Sequence, residues 1–279
     1  MNKTYFFMAG LPRSGSTLLK NILNQNPIIH TEPSSPVMEL MYWNNHYFLD
    51  SEQYLAYQKP KSAYKVISSI IDSYYFDVNN PIVIDHCRSW SNNIERIKTY
   101  ITPDPKIICP VRNVTEILTS FISMIHRNKD QISFIDKHLI NNHVEVNDDN
   151  RCHYLMGSNG IVYQALWAQF QAFRRGDDKK YLLMVEYDDL VFSPEETIKK
   201  IYQFLELDLY SHNFNHIENT HREDESQWNL KDMHYLHNKL EKKSLKPETV
   251  LSDQIINMYS NMEYWKYSNH NFNNNGINS

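Results

Sequence analysis

The sequence predicts an α/β fold, with a central, mostly parallel sheet of about five strands flanked by helices in three layers. Three observations predict it. Short apolar runs at 4–9, 81–85, 106–111 and 181–186 alternate with longer helical patterns. The first run leads through a Gly-containing turn directly into a helix, as crossover units do. Polar and charged residues follow three of the runs, where ligands of such sheets bind.

The elements follow in order. Residues 4–9 are short, apolar and end at Gly10, as a buried strand does. Residues 16–25 place Leu18, Leu19, Ile22 and Leu23 on one helical side and stop before Asn26-Pro27. Ile28-Ile29-His30 is a short second strand. After Pro33 and Pro36, helices are expected over 37–49 and 62–75. Tyr42, Trp43 and Tyr47 read as a core-facing aromatic helix face. Pro81–Asp85 is a strand, Trp90–Ile101 a helix and Lys106–Val111 a strand. Asn113-Val114-Thr115-Glu116 has the form of a capping box opening the next helix. Residues 127–155 are polar and irregular, so 127–158 reads as an inserted excursion or lid. A helix over 159–175 and the last strand at Tyr181–Glu186 follow. Ser193-Pro194-Glu195-Glu196 opens a helix that runs through Leu205. A polar stretch at 206–230 and a terminal helix at 250–262 complete one α/β domain over 1–267, with a flexible Asn-rich tail at 268–279.

Composition narrows the function. The 279 residues suffice for one substantial core. A net charge of −5 provides no global basic field, which argues against nucleic acid or an anionic membrane as partner. Cys87, Cys109 and Cys152 have no metal-site spacing and read as reduced thiols in a cytoplasmic protein. The 13 His residues form no HExxH pair, so no metal is expected. No run approaches the roughly 20 apolar residues of a membrane helix.

Chemistry concentrates at three strand ends. Gly10-x-x-x-x-Gly15 has P-loop spacing, so the fold is expected to be P-loop-like. Ser16 stands where such loops carry Lys, Thr17 follows, and the cation sits inside the loop at Arg13. Arg13, Ser14, Gly15, Ser16 and Thr17 at a helix start suit a phosphate or sulfate. Arg112 follows the strand at 106–111, where a forked cation can grip a dianionic phosphate. Ser120 lies two turns beyond Asn113 on about the same helical face. At the third end, Asp85-His86-Cys87-Arg88 offers His86 as a base and Arg88 as a positive charge. Glu32 is a rival base, whose pKa burial could raise. Asp85 is the one acidic strand end that could serve Mg²⁺, beside His86 and Arg88. Arg151, His221, Arg222 and His234 read as solvated surface.

These motifs resemble the sulfotransferases that use 3′-phosphoadenosine 5′-phosphosulfate (PAPS). Gly10–Leu18 is similar to their 5′-phosphosulfate loop, in the Pro-Arg-Ser-Gly version of the tyrosylprotein sulfotransferases and their bacterial relatives. Val111-Arg112 with Ser120 is similar to their 3′-phosphate motif, and Val185–Leu190 followed by Ser193–Glu196 to a further shared segment. The resemblance spans most of 4–206. It implies that the amides of 14–17 and the Ser16 and Thr17 hydroxyls hold the 5′-phosphate. It implies that Arg13 neutralises the leaving oxygen, and that Arg112 and Ser120 hold the 3′-phosphate. His86 stands where the cytosolic branch carries its catalytic His, Glu32 near the tyrosylprotein branch's catalytic Glu, and Arg88 in the region of a family Lys. The implied reaction is in-line sulfuryl transfer from PAPS to a hydroxyl or amine, releasing 3′,5′-ADP, without a metal. The acceptor (small molecule, sugar or peptide tyrosine) and the oligomeric state, a homodimer included, stay open. Loops at 31–60, 127–158 and 206–245 are expected to build the acceptor pocket. The competing readings are an ATP-dependent P-loop phosphotransferase, disfavoured by the missing Lys after Gly15, and a non-catalytic nucleotide-binding protein.

Overall fold

Alternation along β1 (Thr4–Met8) divides the molecule into layers: Phe7 points to one face of the sheet, Phe6 and Met8 to the other. The structure is a computed structural model and describes residues 3–220, 223–231, 233–236, 240–241 and 245–266. His221, Arg222 and the tail at 268–279 lie outside the described residues.

The elements run β1, α1 (Ser16–Leu23), β2 (Ile29–Thr31), α2 (Val37–Asp50), α3 (Glu52–Ala56), α4 (Pro60–Ser68), α5 (Ile70–Tyr74) and β3 (Ile82–His86). A 3-10 turn (Arg88–Asn93), α6 (Ile94–Tyr100), β4 (Ile107–Val111), α7 (Val114–Arg127), α8 (Phe134–Asn141), α9 (Asp148–Met156) and α10 (Ile161–Arg174) follow. β5 (Leu182–Glu186), α11 (Tyr187–Phe192), α12 (Pro194–Leu205) and α13 (Asp253–Tyr259) complete the order. The five strands stand in the order β2-β3-β1-β4-β5, all parallel. Every strand therefore ends on the same edge, which gathers the turns after β1, β3 and β4.

One face of the sheet (Phe7, Val83, Ile107, Cys109) packs on Val37, Met41, Ile67, Ile71, Ile94 and Ile97 from α2 and α4–α6. The other (Phe6, Met8, Ile84, Ile108, Val185) packs on Leu19, Ile22 and Leu23 of α1 and Ile198, Ile201 and Leu205 of α12. A third cluster joins α7 to α8, α9, α10 and α13.

Several local expectations are corrected. Residues 127–155 are not irregular: α8 and α9 bury Ile135, Leu139, Cys152 and Leu155 in that third cluster. The sparse apolar residues of each short helix masked the period, while Ser133 and Asn147 cap both starts. The pattern at 62–75 divides into α4 and α5 at Ser69. Trp43 and Tyr47 are 67% and 60% exposed and do not enter the core. α2 instead buries Val37, Met38 and Met41.

Asp85, at the end of β3, is fully buried. It accepts hydrogen bonds from Ser35 Oγ (2.5 Å), Trp90 Nε1 (2.6 Å) and Tyr75 OH (2.8 Å). Burial raises its pKa, and the three donors oppose that rise. The carboxylate thus ties β3 to the segments before α2 and after α5 and to the turn that follows, rather than standing open to a cation. Tyr75→Phe should cost about 1–3 kcal/mol in urea unfolding, because it removes a donor from a buried carboxylate. Tyr5→Phe, which removes an exposed hydrogen bond to Asp72, should cost less than about 1 kcal/mol.

Candidate active site

The turn from Ala9 to Gly15 is built around two left-handed residues, Arg13 (φ 60°) and Gly15 (φ 89°). At Gly15 a Cβ would stand 2.8 Å from Cδ2 of Tyr187, so the position needs glycine on both counts. Gly10 leaves room for Ser16 Oγ, which would have to turn away if a Cβ stood there. Ser14 braces the turn: its Oγ lies 2.6 Å from the Leu11 carbonyl and 2.9 Å from that of Pro110, and its N–H donates to Leu11. The Ser14 amide, expected with those of 15–17 to face the 5′-phosphate, is thus engaged by Leu11, and its hydroxyl is turned inward. The amide of Leu19 bonds back to Gly15, whereas those of 16–18 precede the helical ladder and point out of its positive end.

Arg13 and Arg112 meet here. Arg112 Nε donates to Glu116 Oε2 (2.9 Å) and Nη1 to the Arg13 carbonyl (3.2 Å). Its guanidinium lies 4.3 Å over the Tyr187 ring. Nη2 is buried without a hydrogen-bond partner among the described residues. Asn113 caps α7 through the Glu116 amide, as expected, but the Glu116 side chain serves Arg112 instead of closing the box. Arg13 Nε donates to Ser120 Oγ (3.1 Å), and Nη1 donates to the Met233 carbonyl. Burial, then the charges of Arg112 and Arg127, push the Arg13 guanidinium down to about 10, still charged at neutral pH.

Both arginines line a cavity of about 680 Å³ that also takes in Gly15, Ser16, Thr17, His86 and Arg88. Ser120 joins them through Arg13. His86 is pushed down to about 4 by burial and by Arg88, against the pull of the Pro33 carbonyl and Glu223. Its Nδ1 has no partner among the described residues. Arg88 is exposed into the cavity, yet the enclosing protein lowers its pKa, against Glu223. Glu32 stands apart: it does not line the cavity, and its Oε1 is 2.9 Å from His30 Nε2.

Of the three loops expected to build a pocket, the first contributes Pro33–Pro36 and Glu39, and the third contributes Glu223, Trp228 and Met233–Leu236. None of the lining residues falls in 127–158; α10 supplies Ile161, Gln164, Ala165 and Ala168 instead. Tyr187 and Glu223 escaped the sequence reading as site residues, and His234, read there as solvated surface, is instead half-buried and lines the cavity. Tyr187 directly follows β5, so the strand-end rule applied there would have found it. Glu223 and His234 carry no such signal. Arg151, read as surface, is tied to Asp136 (2.7 Å) and Asp148 (2.6 Å) away from the site.

A P-loop-like turn, a second arginine at the next strand end and a shared cavity define an α/β protein with a cationic cavity at the carboxyl edge of its sheet. A model of the sulfotransferase family matches residues 6–212, and the chain belongs to that family. It is a transferase that moves a sulfuryl group. Two solved structures share the fold. The sulfotransferase domain from the curacin biosynthetic pathway is 13% identical, with 92% of this chain and 97% of that one covered and a TM-score of 0.54. The sulfotransferase domain from the Synechococcus PCC 7002 olefin synthase is 17% identical, with 96% and 97% covered and a TM-score of 0.51. No curated protein matches the chain. Among the described residues, no helix is long and apolar enough to cross a membrane.

Gly15→Ala should weaken anion binding at the loop and lower Tm, through both the positive φ and the clash with Tyr187. Calorimetric titration with 3′,5′-ADP and a thermal melt check the two effects. His86, with a folded pKa of about 4 against 6.5 unfolded, binds its proton more readily when unfolded. Its contribution is complete above pH 6.5 and is lost as pH falls through 4. His86→Gln should therefore flatten the acid side of the stability profile, by at most about 2 kcal/mol between pH 7 and 5. Urea midpoints at the two pH values measure it.

Proposed function

We propose that the sulfuryl donor is PAPS, with 3′,5′-ADP as the product. The observation that carries this reading is the pair of anion grips on one cavity: open amides at the start of α1, and Nη2 of buried Arg112, without a hydrogen-bond partner among the described residues. A 3′-phosphate completes the second grip, because a dianion accepts the N–H that has no protein partner. The 5′-phosphosulfate lies against the amides of 16–18, with the Ser16 and Thr17 hydroxyls beside it. The glycine-lined turn suits that close approach.

The acceptor is a hydroxyl or amine that enters the same cavity. Its lone pair attacks sulfur in line with the S–O bond to the 5′-phosphate. The bond pair remains on the phosphate oxygen, where Arg13 and the loop amides stabilise the charge. Arg88, facing the cavity, supplies charge to the sulfuryl oxygens. Of the two bases named from sequence, His86 lines the cavity and Glu32 does not.

PAPS and 3′,5′-ADP should each raise Tm, and ATP–Mg²⁺ should do so less; a shift with ATP–Mg²⁺ alone would sink the reading. Arg112→Ala should weaken 3′,5′-ADP by roughly 10–100-fold, the worth of a charged hydrogen bond, and 5′-AMP by less than about 3-fold. Titration calorimetry with both nucleotides measures the difference.

A further inference from the structure

Beside the phosphosulfate turn, the segment around Glu223–Leu236 carries a second constellation that the roles above leave unused. Glu223 Oε1 accepts a hydrogen bond from Ser34 Oγ at 2.8 Å. Its Oε2 lies 3.0 Å from His234 Nδ1, off the line of a straight hydrogen bond. Glu225 Oε1 accepts the His234 backbone N–H at 2.7 Å and lies 3.6 Å from Nδ1. The preceding carbonyl, Met233 O, takes the Arg13 guanidinium. The His234 backbone is thus fixed on both sides, and its ring presents Nδ1 to the carboxylates of Glu223 and Glu225, one residue from the carbonyl that takes Arg13. Glu223 and His234 both line the cavity.

The tautomer follows from this placement. Nδ1 is buried and faces carboxylate oxygens, so the proton of the neutral ring belongs there. Nε2 makes no hydrogen bond among the described residues and keeps its lone pair. This is the division of labour in which a carboxylate orients a histidine and steadies its charged form. Glu223 is held ionised, pushed down to about 2 by His234 first and also by Ser34. His86 has the opposite character: burial and Arg88 make it a poor proton acceptor.

We propose that His234, oriented by Glu223, takes the proton of the acceptor during sulfuryl transfer; this rests on the reading of the cavity as a PAPS site. As the acceptor oxygen or nitrogen bonds to sulfur, its proton passes to Nε2, and the S–O bond pair leaves with the 5′-phosphate. The imidazolium, paired with Glu223, returns the proton to solvent through the open cavity. His234 is the catalytic residue here, and Glu223 is a positioning residue.

The test uses the full chain in excess over PAPS, in single turnovers with water and with phenol as acceptors, following 3′,5′-ADP formation. His234→Asn should slow turnover by about 10²–10⁴-fold, the range of general base catalysis, and leave 3′,5′-ADP affinity within about 3-fold. Imidazole in solution should restore part of the rate to His234→Ala. Wild-type turnover in His234→Asn overturns the proposal and leaves the PAPS reading intact. A wild-type protein that binds neither PAPS nor 3′,5′-ADP overturns the reading beneath it. Nitrogen-15 NMR of the wild-type protein gives an independent check that needs neither turnover nor a stable variant. Neutral His234 should carry its proton on Nδ1 and lose that preference in Glu223→Gln, whereas an Nε2–H tautomer in wild type overturns the proposal.

Discussion

Two guanidinium groups share one small volume at the carboxyl edge of the sheet, and much of the site follows from that crowding. Arg13 and Arg112 come from the turns after adjacent strands, β1 and β4. Arg112 donates to the Arg13 carbonyl, and its charge lowers the Arg13 pKa. Protein groups absorb part of the excess: Glu116 pairs with one arginine, Ser120 and the Met233 carbonyl with the other, and the Tyr187 ring shields a face. Nη2 of Arg112 stays unmatched among the described residues. A buried donor without a partner is costly, so this end of the cavity favours an acceptor that bears negative charge.

The same crowding explains the turn. Holding Arg13 at φ 60° and Gly15 at φ 89° reverses the chain within a few residues, which lets α1 start at Ser16 beside the same cavity. Tyr187 fills the space left by the missing Cβ of Gly15 and meets Arg112 with its ring. A side chain at position 15 would therefore disturb the turn and Arg112 together. In the proposed reading that coupling matters, because a donor held at both phosphates keeps its S–O bond in line with the acceptor.

How far the site was legible depends on chain distance. Arg13 to Thr17 lie in one turn, and Arg112 and Ser120 follow one strand by a fixed helical count, so local spacing could reveal them. Ser14 was legible as part of the turn, but its inward hydroxyl depends on the Pro110 carbonyl, 96 positions away in the chain. Glu32 and His86 each follow a strand and looked equivalent. Only the fold separates them, placing His86 in the cavity and Glu32 beside His30. Glu223 and His234 lie on either side of a single 3-10 turn (Glu225–Trp228), and neither a strand end nor a helical period marks them.

The alternation of apolar runs with amphipathic helices determined the layered parallel sheet, because a parallel strand buried on both faces is apolar throughout and its crossover is a helix. The turn after β1 likewise determined its own geometry, because its glycines and helix start act within a few residues. Tertiary structure alone decided which charges share the cavity, which hydroxyl faces inward, and that α10 and the 223–236 segment form its walls. Those outcomes depend on where distant segments pack and on how burial alters the cost of each charge. A linear sequence does not display either quantity locally.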